Sequence, residues 1–214
     1  MSFSISKKYK NTSWANLELL NENNENWGKA ILIIKDRFDS RFFNHIDLIK
    51  NDEFSGFLIM SIDCLIIETL MQFYLGVDNT KINYNGCHWK AFKDFFRNSK
   101  HFTVEFKTNN EIDEIWKIFY DHFRCGLLHQ AQTKYKSLIK ISQQSFLELS
   151  DKNDIKQGLI IDRKKFHSKL VLEFDDYIQK LTDNGENFNG ENLRIKALNK
   201  MNIICAEKPA SNSY

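Results

Sequence analysis

Proline is nearly absent from this 214-residue chain, occurring once, at Pro209, and glycine occurs only 8 times. With so few helix breakers, a turn-dense all-β sandwich is excluded and long helices are favoured. The four cysteines, Cys64, Cys87, Cys125 and Cys205, form no C-x-x-C pair. That excludes a zinc ribbon or disulfide framework and fits reduced thiols. Excess charge of one sign is also missing: the formal net charge is +2, so no global field announces a nucleic-acid partner and any anion site must be local. The first ten residues lack the apolar stretch of a signal peptide, and no run reaches the roughly eighteen apolar residues of a membrane span. A soluble, cytoplasmic protein is expected. No linker composition divides the chain, so 1–214 reads as a single domain.

What the chain has in quantity is aromatic carbon, with 18 Phe, and apolar residues at helical spacing. From Gly28 to Lys50, Ile31, Ile34, Phe38, Phe42 and Ile46 step at threes and fours, which predicts one amphipathic helix. After the start signal Asn51-Asp52-Glu53, the segment Phe54 to Leu75 is apolar on nearly every face and reads as the buried central helix of a bundle, capped by Gly76. Trp89, Phe92, Phe95 and Phe96 share a face of a shorter helix. Ile112, Ile115, Trp116, Phe119, Tyr120 and Phe123 mark another, starting near Asn109. The period then changes. Short runs around Leu138, Leu147 and Ile160 predict a small β-hairpin-like insertion at about 137–162. Asp162 reads as the N-cap of a helix carrying Phe166, Leu170, Phe174 and Tyr177. A C-terminal docking helix at 191–205 and a disordered tail at 206–214 complete the expectation: a mainly α, up-and-down helical bundle.

Chemistry concentrates in Phe123-Arg124-Cys125-Gly126-Leu127-Leu128-His129-Gln130. Here an always-charged guanidinium and a titratable imidazole sit within an apolar helical pattern. On one straight α-helix, residues five apart lie about 140° apart around the axis, so Arg124 and His129 would not share a face. They converge if the helix breaks near Gly126, if the arginine wraps round the turn, or if two copies meet across a two-fold axis. An arginine and a histidine in one cleft suit phosphodiester chemistry, the first holding the phosphate and the second moving protons. An Arg-to-His spacing of this size also arises readily by chance, and the plain reading is a helix-end cation beside a hydrogen-bonded core histidine. Asp121, Cys125 and His129 step at four, but no second cluster completes four ligands, so no metal or cofactor is expected.

The order of a long amphipathic helix, the apolar helix Ile62-Asp63-Cys64-Leu65-Ile66-Ile67-Glu68-Thr69-Leu70 and a later Arg-x-x-x-x-His resembles the HEPN domains (higher eukaryotes and prokaryotes nucleotide-binding). The segment Phe119 to Thr133 is similar to a form found in uncharacterised bacterial HEPN-like proteins. The resemblance covers roughly 28–183. It implies an α-helical bundle and, in active members, a metal-independent endoribonuclease of bacterial stress or phage defence that forms cyclic phosphate ends through the RNA 2′-hydroxyl. It implies Arg124 and His129 as the catalytic pair, commonly completed by homodimerisation, with an antitoxin or defence-system protein as a further partner. The residue after the arginine, often polar in that family, is Cys125, and the tyrosine that some members carry two residues after the histidine is replaced by Ala131. Other HEPN domains are catalytically silent and bind RNA or a partner protein.

Two readings come from the residues themselves. Glu68, a carboxylate among Ile66, Ile67, Leu70 and Met71, needs a cation or donors. If its helix packs beside the motif, it would accept from Arg124 or His129 and raise the histidine pKa. Lys134, Lys136 and Lys140, with Arg163 and Lys164, would extend an RNA phosphate track; the plainer reading of such a set is a solvated face.

Overall fold

A computed structural model describes residues 2–19, 24–102 and 109–206. The expected tail beyond Ala206 and the start of the Asn/Glu run at 21–23 lie outside the described residues. The fold is mainly helical with one small sheet. Its helices are α1 (Asn11–Ala15), α2 (Asn24–Phe38), α3 (Asn44–Ile49), α4 (Gly56–Leu75), α5 (His88–Asn98), α6 (Asn109–Phe119), α7 (Gly126–Gln130), α8 (Arg163–Thr182) and α9 (Leu193–Ala206). The strands are β1 (Leu138–Lys140), β2 (Leu147–Leu149) and β3 (Leu159–Asp162). The chain falls into two compact units, one of Met1–His45, Gln72–Asn79 and Asp175–Tyr214, the other of Ile46–Met71 and Thr80–Phe174.

In the first unit, the stripe of α2 buries Ile31, Ile34 and Phe38 as its spacing predicts. The next position differs. A π-helical turn at Asp39–Phe43 inserts one residue, so Phe43 is buried in place of the expected Phe42. A period of 3.6 cannot foresee such a turn. Trp14 of α1 is buried and donates its indole N–H to Asn202 Oδ1 of α9 at 2.9 Å. Gly76 ends α4 at φ +67°, and the Val77 N–H returns to the Gln72 carbonyl at 3.1 Å, a Schellman closure that only a residue at ease with positive φ completes cheaply. On α9, Leu193, Ala197 and Met201 are buried, and so is Arg194. Its Nε and Nη2 donate to the carbonyls of Leu181 and Thr182, both at 2.8 Å. Those are final-turn carbonyls of α8, which lack partners within their own helix.

The core of the second unit is aromatic. Phe96 stacks on Trp116 with centroids 3.8 Å apart, and Phe119 stacks on both Phe123 (5.4 Å) and Phe166 (5.2 Å). Each such pair adds about 0.5–1.5 kcal/mol beyond its buried area. Phe123 therefore anchors the motif directly in this core. Asp52 accepts from the Phe54 N–H at 2.9 Å and starts the lead-in to α4. By length and composition Glu53–Leu75 is apolar enough to cross a membrane, contrary to the expectation that no segment would be. Its most apolar part is half buried, and the carboxylates Asp63 and Glu68 pair with His167 (2.7 Å) and Arg124 (3.2 Å) inside this unit, as in a core helix.

The three strands form where the short apolar runs stand, but not as a hairpin. The order is β1-β3-β2, with β1 parallel to β3 (Leu138 opposite Ile160) and β2 antiparallel to it (Leu147 opposite Ile161). β3 takes the centre because its Leu159 and Ile161 are fully buried, whereas β1 offers a half-exposed edge. Asp162 caps α8 as predicted, accepting from the Lys165 N–H at 3.0 Å with one oxygen. Its other oxygen accepts from the Gln143 N–H at 2.8 Å and ties down the loop between β1 and β2.

Candidate functional site

The motif does not continue α6 as a regular helix. Tyr120–Cys125 forms a π-helical turn, followed by the single α-helical stretch of α7. Such turns widen a helix by one residue and concentrate at functional sites. Gly126 itself is helical (φ −60°, ψ −53°), so the irregularity precedes it and it is not a break. Its lack of a side chain serves the chain's return: a Cβ there would lie 2.5 Å from the Gln132 carbonyl oxygen. The stretch ends at Ala131, held at φ +52°, and the Lys134 N–H then donates to the His122 carbonyl at 3.1 Å.

Arg124 and Glu68 are brought together as the burial argument requires. Arg124 Nη2 donates to Glu68 Oε2 at 3.2 Å, and the guanidinium carbon lies 5.5 Å from the centre of the Tyr120 ring. Burial opposes the charge of Arg124, but Glu68, Tyr120 and Cys125 more than offset it and push its pKa up. Arg124 Nε is buried and has no hydrogen-bond partner among the described residues. Cys125 hydrogen-bonds Tyr120, whose phenol is pushed up to about 12, chiefly by burial.

The imidazole that joins this group is His88, at the first position of α5, and not His129. His88 Nδ1 lies 3.8 Å from Glu68 Oε1 and 3.2 Å from the hydroxyl of Thr80, which is fully buried. The side chains of Glu68, His88 and Arg124 are 17%, 17% and 16% exposed, sheltered yet reachable from solvent. Glu68 pulls the His88 pKa upward, as a carboxylate does, but not far enough to win. Burial, with Lys81 and Arg124 adding to it, holds His88 below the usual imidazole value despite the carboxylate. At neutral pH this imidazole is uncharged and able to accept a proton. Nothing in the motif spacing marks His88. Its only signal in the sequence is a histidine beside Trp89 at the start of an aromatic helix face.

His129 stands exposed in the last turn of α7. Among the described residues no hydrogen bond or ion pair joins it to Arg124. The basic residues divide as well. Lys136 and Lys140 are exposed, Lys134 is bound to Asp121 at 2.7 Å, and Lys164 reaches Asn51 Oδ1 at 2.8 Å. Arg163 leaves the expected phosphate track altogether. It is 1% exposed and donates to the Ser55 hydroxyl at 3.1 Å and to the Asp52 carbonyl. The first residue of α8 points inward to hold the loop before α4, so the basic run Arg163-Lys164-Lys165 is not a uniform surface.

Comparison with family models, with curated proteins and with solved structures finds no match to this chain.

Proposed function

We propose that this chain is a metal-independent endoribonuclease of HEPN type, a helical bundle acting in bacterial stress or phage defence. The observation that carries the reading is the Glu68–Arg124–His88 group, which sets a guanidinium and a neutral imidazole on one carboxylate. In the proposed reaction Arg124 releases Glu68 in favour of the scissile phosphate and neutralises the charge that develops on it. A histidine takes the 2′-hydroxyl proton as the 2′-oxygen bonds to phosphorus. The bond from phosphorus to the 5′-oxygen breaks, and that oxygen receives a proton from a second donor. His129, implied by the resemblance, and His88, added by the geometry, are the two proton carriers. The remaining strand ends in a 2′,3′-cyclic phosphate and the departing strand in a 5′-hydroxyl.

His129 belongs with Arg124 in this reading through a second copy of the chain. Supporting that arrangement, α4 leaves apolar side chains open beside Glu68: Leu58 and Leu65, seven apart and so on one face, are 55% and 43% exposed, and Leu128, next to His129, is 39% exposed. Leu65→Lys is expected to shift the protein from dimer to monomer in light scattering after size exclusion and to lower cleavage with it. A wild-type monomer of full activity would contradict the dimer.

The second reading is a catalytically silent HEPN module that binds RNA or a partner protein. The Arg124–Glu68 contact itself favours it, since a guanidinium already met by a carboxylate has less to offer a phosphate. Incubating the pure protein with total RNA in EDTA separates the two. Accumulating fragments support the nuclease; intact RNA that is nevertheless bound supports the silent module.

A further inference from the structure

The second unit also holds a cavity of about 430 Å³ whose lining includes Glu114, Lys117, Asp121, His122, Tyr135, Lys156 and Gln157. That volume falls within the range of small-ligand pockets. None of these residues takes part in the Glu68–Arg124–His88 group. Tyr135 is 78% exposed and is held at φ +54°, a backbone conformation rare for a bulky side chain. Its ring is not loose against solvent. One face meets the His122 imidazole, with centroids 4.7 Å apart and planes inclined by 35°. His122 is 4% exposed and hydrogen-bonded through Nδ1 to Ser137 Oγ at 2.8 Å, and that oxygen also accepts from the Leu159 N–H of β3 at 3.1 Å. The exposed tyrosine is therefore backed by a ring that the sheet fixes in place.

We infer that Tyr135 is a stacking platform for one base of single-stranded RNA, with the neighbouring phosphates met by Lys117 and Lys156. This rests on the ribonuclease reading and names a contact it does not contain. Three features of the lining select a nucleotide. The tyrosine offers a π-face, which any base stacks on. Gln157 holds Asp154 Oδ2 with one amide N–H at 2.9 Å and keeps its other N–H and its carbonyl oxygen for a base edge. Two ammonium groups supply the phosphate contacts. Of the two carboxylates on this wall, Asp121 is met by Lys134 at 2.7 Å, which leaves Glu114 as the one a phosphate must avoid and places the phosphates toward Lys156. Burial keeps His122 below the usual imidazole pKa against the pull of Asp121, with Lys134 adding to the burial, which favours the uncharged backing ring.

The test is fluorescence anisotropy with a labelled 2′-O-methyl RNA 12-mer, which has no 2′-hydroxyl to attack and so stays intact. Tyr135→Ala is expected to weaken binding about tenfold without changing its salt dependence, because stacking releases no counterions. Tyr135→Phe should bind as wild type, and Lys156→Gln should reduce the slope of affinity against salt by about one. Equal affinity of Tyr135→Ala and wild type, or a loss in Tyr135→Phe as large as in Tyr135→Ala, overturns the platform. Cleavage of unmodified RNA in EDTA, measured in parallel, separates the failures. If wild type cleaves and Tyr135→Ala binds unchanged, only the platform falls; if wild type neither binds nor cleaves RNA, both readings fall.

Discussion

Arg124→Ala is expected to lower kcat/KM for RNA cleavage by about 10²–10³-fold, the usual cost of removing one donor aimed at developing charge. Arg124→Lys should recover little of it, because an ammonium keeps the charge and loses the planar fork. The variant also strips Glu68 of its 3.2 Å partner, so some loss of thermal stability accompanies the loss of activity. Pairing it with Glu68→Gln distinguishes the two effects. The double variant removes the stranded carboxylate charge and should regain stability, while cleavage stays lost. Recovery of activity together with stability would show that Arg124 serves the fold and not the chemistry.

The second large effect concerns the two histidines. His129→Ala and His88→Ala should each reduce kcat by about 10²–10⁴-fold, the range for loss of a general acid or base. A base works when deprotonated, and His88 is held below the ordinary imidazole value of about 6.5, so a rate governed by it stays level as pH falls past 6.5 and drops only in more acid solution. His88→Gln retains a hydrogen-bonding group beside Glu68 and Thr80 but cannot titrate, so that acid limb should vanish. An unchanged pH–rate profile in His88→Gln would remove His88 from the chemistry and leave it as a support for Glu68.

The parts of the fold legible in sequence were those written as periodicity or as an electrostatic necessity. The stripe of α6 ran without interruption into Phe123, and Phe123 lies in the aromatic core. Glu68 among isoleucines and leucines needed a cation or donors, and Arg124 meets it at 3.2 Å. The caps at Gly76 and Asp162 followed from residue type alone. What stayed hidden depends on contacts distant in sequence. The π-turn that buries Phe43 in place of Phe42 breaks the period on which the expectation relied. Three strands were visible as runs, yet their order depends on which is most apolar in three dimensions. Arg163 shares a basic run with two lysines and turns inward because Ser55 and the Asp52 carbonyl await it, 108 and 111 residues away. His88 stands 36 positions before Arg124, and only the approach of the first residue of α5 to Glu68 reveals it.

The chemical ends of the RNA products test the central claim most directly. After cleavage by wild type in EDTA, the upstream fragments should carry 2′,3′-cyclic phosphates and the downstream fragments 5′-hydroxyls. Attack by the 2′-oxygen leaves no other pair of ends before the cyclic ester is hydrolysed. Downstream fragments bearing 5′-phosphates, or cleavage that disappears in EDTA and returns with a divalent cation, would contradict the account.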